Sequence, residues 1–167
     1  MDDSLKSDLN FIAGGVAVDD RGKLQFCNDF DMASVRRFYV VSNHESRFVR
    51  AWHAHKQEAK FVYVASGAAL LAAVKVDDWA APDPALEINK FILAEDKPGV
   101  LYVPGGYAHG FMTLQPDTRL FFFPPWRSAK ALMTMCAILL IIGTRGRWSR
   151  VKSRHRCRSQ RKHDRKY

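Results

Sequence analysis

The chain lacks most of the features that mark whole classes of protein. Its three cysteines, Cys27, Cys136 and Cys157, fall at no metal-ligand spacing and give no sign of an oxidising compartment. There is no internal repeat and no long stretch of helical period. An apolar run at 131–142, ALMTMCAILLII, is twelve residues long, too short to span a bilayer. The opening residues, MDDSLKSDLN, are acidic and polar, which argues against a signal peptide. These absences exclude a disulfide scaffold, a repeat array and a membrane span, and they lead us to expect a cytoplasmic protein.

Acidic residues are scarce in one part only. Residues 1–123 carry 13 Lys and Arg against 16 Asp and Glu, whereas 124–167 carry 13 against 1. The whole-chain net charge of +9 therefore belongs to the last 44 residues and does not indicate a nucleic-acid-binding domain. The tail has the look of a changed reading frame. Residues Lys130 to Ser149 can be encoded so that reading one base earlier gives ESADDDVRYPADYWDAWEVE, an acidic, aromatic, protein-like ending. The expected organisation is a lead at 1–14, a domain at 15–123 and an out-of-frame tail at 124–167 that is not a domain. On this reading the frame changes near Phe123–Ala129; the alternative is a genuine basic tail or membrane-surface anchor. Composition allows the tail to be disordered, with at most a loosely attached helix at 131–142.

What fills the first 123 residues is strand-like. Short β-branched or aromatic segments run at Val35–Ser42, Arg47–His53, Lys60–Ala65, Ala69–Val76, Leu86–Leu93, Val100–Val103, Gly110–Leu114 and Arg119–Phe123. Turn chemistry at Asp20-Arg21-Gly22, Ser66-Gly67 and Pro104-Gly105-Gly106 separates them. This pattern predicts an all-β sandwich or barrel. Asp77–Pro84 reads as a loop.

Residues 47–61, RFVRAWHAHKQEAKF, concentrate the chemistry. Arg50, Trp52, His53 and His55 recur at spacings that let several of them share one face of a strand. Imidazole can move a proton; guanidinium and ammonium can hold negative charge.

The segment GVLYVPGGYAHGFMTL, residues 99–114, closely resembles a block of the dTDP-4-dehydrorhamnose 3,5-epimerases, which are cupin jelly rolls. In the same order, Asp20-Arg21-Gly22 resembles that family's early DxRG turn, and Arg50-Ala51-Trp52-His53 its RGxH segment. The resemblance covers about residues 15–123 and implies chemistry on a nucleotide-diphosphate sugar, a dTDP-4-keto-6-deoxyhexose, in cell-surface polysaccharide or deoxysugar assembly. It implies His53 as the base and Lys60 as the group that stabilises the enolate, with His55 as a further catalytic candidate. Arg21 and Arg50 would hold the diphosphate, and Trp52, Tyr107 and His109 are substrate-binding candidates. On residue type, Tyr107 and Phe111 read more readily as core than as a substrate platform. No metal or redox cofactor is implied, and a homodimer is.

Departures from the family keep alternatives open. The tyrosine that these epimerases use as general acid would follow Phe123, where none stands in frame, so this copy could be inactive. The His53-x-His55 pair resembles the related 3,4-ketoisomerases. His53, His55, Glu58 and His109 also resemble the ligand set of metal cupins, although the Glu58 spacing is one residue short and Lys56, Lys60 and Arg50 crowd it. A sugar-binding module without catalysis is the remaining reading.

Overall fold

The computed structural model describes residues 7–125, which form an all-β, cupin-type sandwich of three antiparallel sheets. A five-stranded sheet runs β1 (Asn10–Ala13), β9 (Gly99–Val103), β6 (Lys60–Ser66), β11 (Arg119–Phe123) and β4 (Tyr39–Val41). Facing it is a four-stranded sheet of β5 (Val49–Ala54), β10 (Tyr107–Thr113), β7 (Ala68–Lys75) and β8 (Asn89–Ala94). A separate hairpin, β2 (Gly15–Asp19) with β3 (Gly22–Phe26), makes the third sheet. No helix occurs among the described residues, and none there is long and apolar enough to cross a membrane. The expected change of frame and the 131–142 segment lie outside the described residues.

Alternation builds the core. On β6, Val62 and Val64 face inward with Leu101 and Val103 of β9 and with Leu120 and Phe122 of β11. They meet Ala69, Leu71 and Ala73 of β7, Leu93 of β8, and Tyr107 and Phe111 of β10. Each fully buried Leu, Val or Phe in such a layer contributes about 1.5–3 kcal/mol. The intervening residues of β6 and β9, Phe61, Val100 and Tyr102, pack on the opposite face of their sheet. The four-stranded sheet is covered on its outer face too. There Trp52, Ala54, Ala72, Val74 and Ala108 lie under Trp79, Leu86 and Ile88 of the 77–88 region.

One irregularity positions the site. His109 pairs with His53, and Phe111 with Arg50, so two steps along β10 span three along β5. The extra residue on β5 is a bulge, and bulges re-aim side chains. Opposite it stands Gly110, where a Cβ would fall 2.4 Å from the Cβ of Ala51. Only a residue without a side chain fits that approach.

Candidate active site

At one end of the sandwich the inner faces of both sheets carry polar side chains instead of aliphatic ones. His53 and His109 are cross-strand partners on β5 and β10, with ring centroids 6.1 Å apart. Arg50 is brought to the same face by the bulge, close enough that its charge acts on His53. Regular alternation would put residues 50 and 53 on opposite faces. Across the gap, Lys60 is the first residue of β6 and points inward in line with Val62 and Val64. Its ammonium lies 5.9 Å from the ring centroid of Tyr39. Tyr39 is the cross-strand partner of Phe122 and stacks on it at 5.2 Å. Phe122 in turn meets His109 at 6.4 Å. His53 and Tyr39 are open to solvent, whereas Lys60 and His109 are buried beneath them.

Glu58 lies in the connection between β5 and β6 and is also buried. Its Oε1 accepts from Lys60 Nζ at 2.7 Å and from Arg37 Nη2 at 3.3 Å, and its Oε2 lies 3.5 Å from His55 Nδ1. Burial alone would raise the Glu58 pKa; the Lys60 hydrogen bond and the charges of Lys60, His55 and Arg37 outweigh it and hold the carboxyl below its usual range.

The imidazoles are held neutral. Burial, then the charges of Arg50, His55 and Lys60, lower the pKa of His53. His53 is exposed at its outer edge yet has protein on most sides, as befits a residue at an open mouth. Burial and Lys60 lower His55, with Glu58 acting partly against them. His109 is pushed down to about 3, first by burial and then by His53, Lys60 and His55. Tyr39 is pushed up to about 12 by burial and by Glu58, with Arg37 opposing. At neutral pH the cluster thus offers neutral imidazoles, an un-ionised phenol and fixed cations.

Of the residues singled out in the sequence, His53, His55, Lys60, Arg50 and His109 come together here. Trp52 does not: it faces the other side of β5, in the cluster under Trp79. Lys56 also leaves the group, its ammonium 5.4 Å from the Trp79 ring centroid. Tyr107 is packed in the core, with its hydroxyl toward Asp8. Arg21 sits at the β2–β3 turn, almost fully exposed and paired with Asp19. Among the described residues no three His, Cys, Asp or Glu side chains are grouped as a metal ion would require. Glu58, the carboxylate of the alternative metal set, is already engaged by three cationic or imidazole groups. Tyr39 is the addition that sequence reasoning did not supply. Its signal is weak, a tyrosine on a three-residue edge strand.

The fold is a cupin-type sandwich with a polar cluster between its two facing sheets. The chain belongs to the dTDP-4-dehydrorhamnose 3,5-epimerase family, whose profile matches residues 8–125. No curated protein matches the chain. Among solved structures it is similar to the dTDP-4-dehydrorhamnose 3,5-epimerase of Bacillus anthracis at 24% identity and a TM-score of 0.61, covering 74% of this chain and 76% of that one. The TDP-quinovose 3,4-ketoisomerase of Campylobacter jejuni gives 18% identity and a TM-score of 0.57, covering 76% and 92%. For the rmlC epimerase of Mycobacterium tuberculosis the values are 20% and 0.59, covering 72% of this chain and only 64% of that one. At these identities the structural likeness establishes the fold.

Proposed function

We propose that the protein is a nucleotide-diphosphate-sugar epimerase that removes a proton α to the keto group of a dTDP-4-keto-6-deoxyhexose. The observation that carries this reading is a neutral imidazole, His53, set on one sheet with a buried ammonium, Lys60, on the facing sheet. The C3 and C5 protons of a 4-keto sugar are weakly acidic because the electron pair left behind moves onto the carbonyl oxygen. His53 takes the proton, and Lys60 stabilises the enolate oxygen that forms. Arg50 offers a guanidinium to the diphosphate. Tyr39 supplies the acid. Its phenol projects from β4, on the sheet opposite His53. Transfer of the Tyr39 proton to the face that His53 did not touch inverts the centre. The phenolate that remains lies beside the Lys60 charge and is reprotonated from solvent, while His53 gives its proton up to solvent.

The sharing of one site by His53 and His55 favours a second reading, 3,4-ketoisomerisation, in which the proton returns to the old carbonyl carbon. A homodimer belongs to the same proposal. Apolar side chains left exposed support it, among them Val18, Leu24 and Phe38 at 74%, 64% and 63%. We further propose that the reading frame changes near Phe123–Ala129, which sequencing the coding region from Leu120 to Ala131 tests.

The deciding experiment is NMR of a dTDP-4-keto-6-deoxyhexose in deuterated water with the protein. Deuterium entering with inversion at C3 or C5 supports epimerisation. Migration of the carbonyl to C3 supports the second reading. Binding of dTDP without any exchange would sink both and leave a sugar-binding module.

A further inference from the structure

We infer that Glu58 is a positioning residue of this site: it holds the Lys60 ammonium in place and fixes the proton of His55 on Nδ1. The part concerning Lys60 rests on the proposal that Lys60 faces the enolate oxygen.

The argument begins with charge. Lys60 is buried, and the groups whose pKa values respond to its charge include three imidazoles, His53, His55 and His109. Arg50 and Arg37 bring two further cations to the same surroundings. Among the described residues its one carboxylate contact is Glu58, at 2.7 Å. A buried ammonium without an anion is costly and moves toward water where it can. An ammonium has three N–H donors, and a single bond to Glu58 leaves two for a substrate oxygen.

A carboxylate so near would by itself oppose the build-up of negative charge on the enolate. Arg37 meets that objection. It reaches the same Oε1 at 3.3 Å from the solvent side, its side chain 63% exposed. The Glu58 charge is thereby shared with Arg37, and the Lys60 charge is left over for the substrate.

The other oxygen faces His55. Oε2 lies 3.5 Å from Nδ1, within ion-pair but not hydrogen-bond range, and its charge favours the tautomer protonated on Nδ1, with Nε2 keeping its lone pair. The connection carrying both residues is rigidly held. Gly106 N–H donates to His55 O at 2.8 Å, and a Cβ on Gly105 would stand 2.7 Å from the carbonyl carbon of Gln57. These contacts hold the connection just before Glu58, and β6 begins two residues after it.

The test is Glu58→Gln, which keeps the shape and removes the charge. Two readouts are taken: solvent-deuterium exchange into a dTDP-4-keto sugar, and the ¹⁵N shifts of the His55 ring. Displacing a reacting group by about 1 Å costs on the order of 100-fold, so kcat should fall about 10- to 100-fold while dTDP affinity stays within about twofold. The His55 proton should leave Nδ1 as the sole site. Unchanged kcat together with an unchanged tautomer would overturn the inference, as would equal losses in kcat and dTDP affinity. Should the Gln variant fail to fold, Glu58→Asp, which draws the charge back from Lys60, is read by the same signals and the same expected directions. A wild-type protein that exchanges no proton would refute the proposed reaction alone. The ring shifts would then still decide whether Glu58 sets the tautomer.

Discussion

Acidification should destabilise this domain through His109 by an amount that can be worked out. The ring is buried and its pKa is pushed down to about 3, whereas in the unfolded chain an imidazole titrates near 6.5. A depressed folded-state value means that the native protein binds fewer protons than the unfolded chain. Its contribution to stability is complete above pH 6.5 and is lost as the pH falls toward 3. Each pH unit inside that window costs about 1.4 kcal/mol per site, so going from pH 7 to pH 5 should cost roughly 2 kcal/mol from His109 alone. His53 and His55, also lowered, add to the wild-type loss. The perturbation that isolates the buried ring is His109→Gln. Urea unfolding at pH 7 and pH 5, followed by far-UV circular dichroism, gives four free energies. The loss between the two pH values should be smaller in the variant by about 2 kcal/mol, or about 1 M urea in midpoint at typical slopes. If the variant loses as much as the wild type, His109 is not a buried neutral imidazole and the account of the site fails.

His53→Ala should reduce proton exchange about 100- to 10,000-fold with the fold intact. In the wild type the acid limb of kcat/KM should lie below pH 6.5, since burial and Arg50 favour neutral His53; retained exchange or a limb at higher pH counts against it. Tyr39→Phe should keep exchange on the His53 face and lose inversion, read by comparing deuterium content with product stereochemistry by NMR. Inversion at the wild-type rate would remove Tyr39 from the mechanism. Gly110→Ala must push β10 and β5 apart, because the new Cβ would meet that of Ala51 at 2.4 Å; a loss of about 1–3 kcal/mol is expected in chemical denaturation, and an unaltered midpoint would contradict the close approach.

The strands legible in the sequence were those with a packed face. Lys60–Ala65 and Val100–Val103 alternate between two buried environments, and both are strands in the structure. β2 and β3 escaped, although their Asp20-Arg21-Gly22 turn was readable. The hairpin packs little: its apolar residues Val16, Val18, Leu24 and Phe26 alternate but stay exposed, so they mark no core-facing strand. β1 escaped because four residues acquire strand structure from pairing with β9, a long-range ladder that local composition does not encode. In the site, His53 and Lys60 could be found from residue type and order. Trp52 could not be assigned a side, since its neighbours on both sides of β5 are buried or polar in turn. Tyr39 is defined only by its partner Phe122, eighty-three positions further along the chain.

The bulge on β5 turns a spacing into a ruler. Arg-x-x-His is an odd interval, and on an unbroken strand its two ends look in opposite directions. Here the third step is absorbed where β5 passes Gly110, so the Arg50 guanidinium and the His53 imidazole stand on the same side. Straightening β5 while keeping all its residues would leave composition and hydropathy untouched. It would nonetheless send one of the two groups into the layer beneath Trp79. The interval and the glycine opposite it are therefore one inseparable unit of information, and neither residue of the pair can drift without the other.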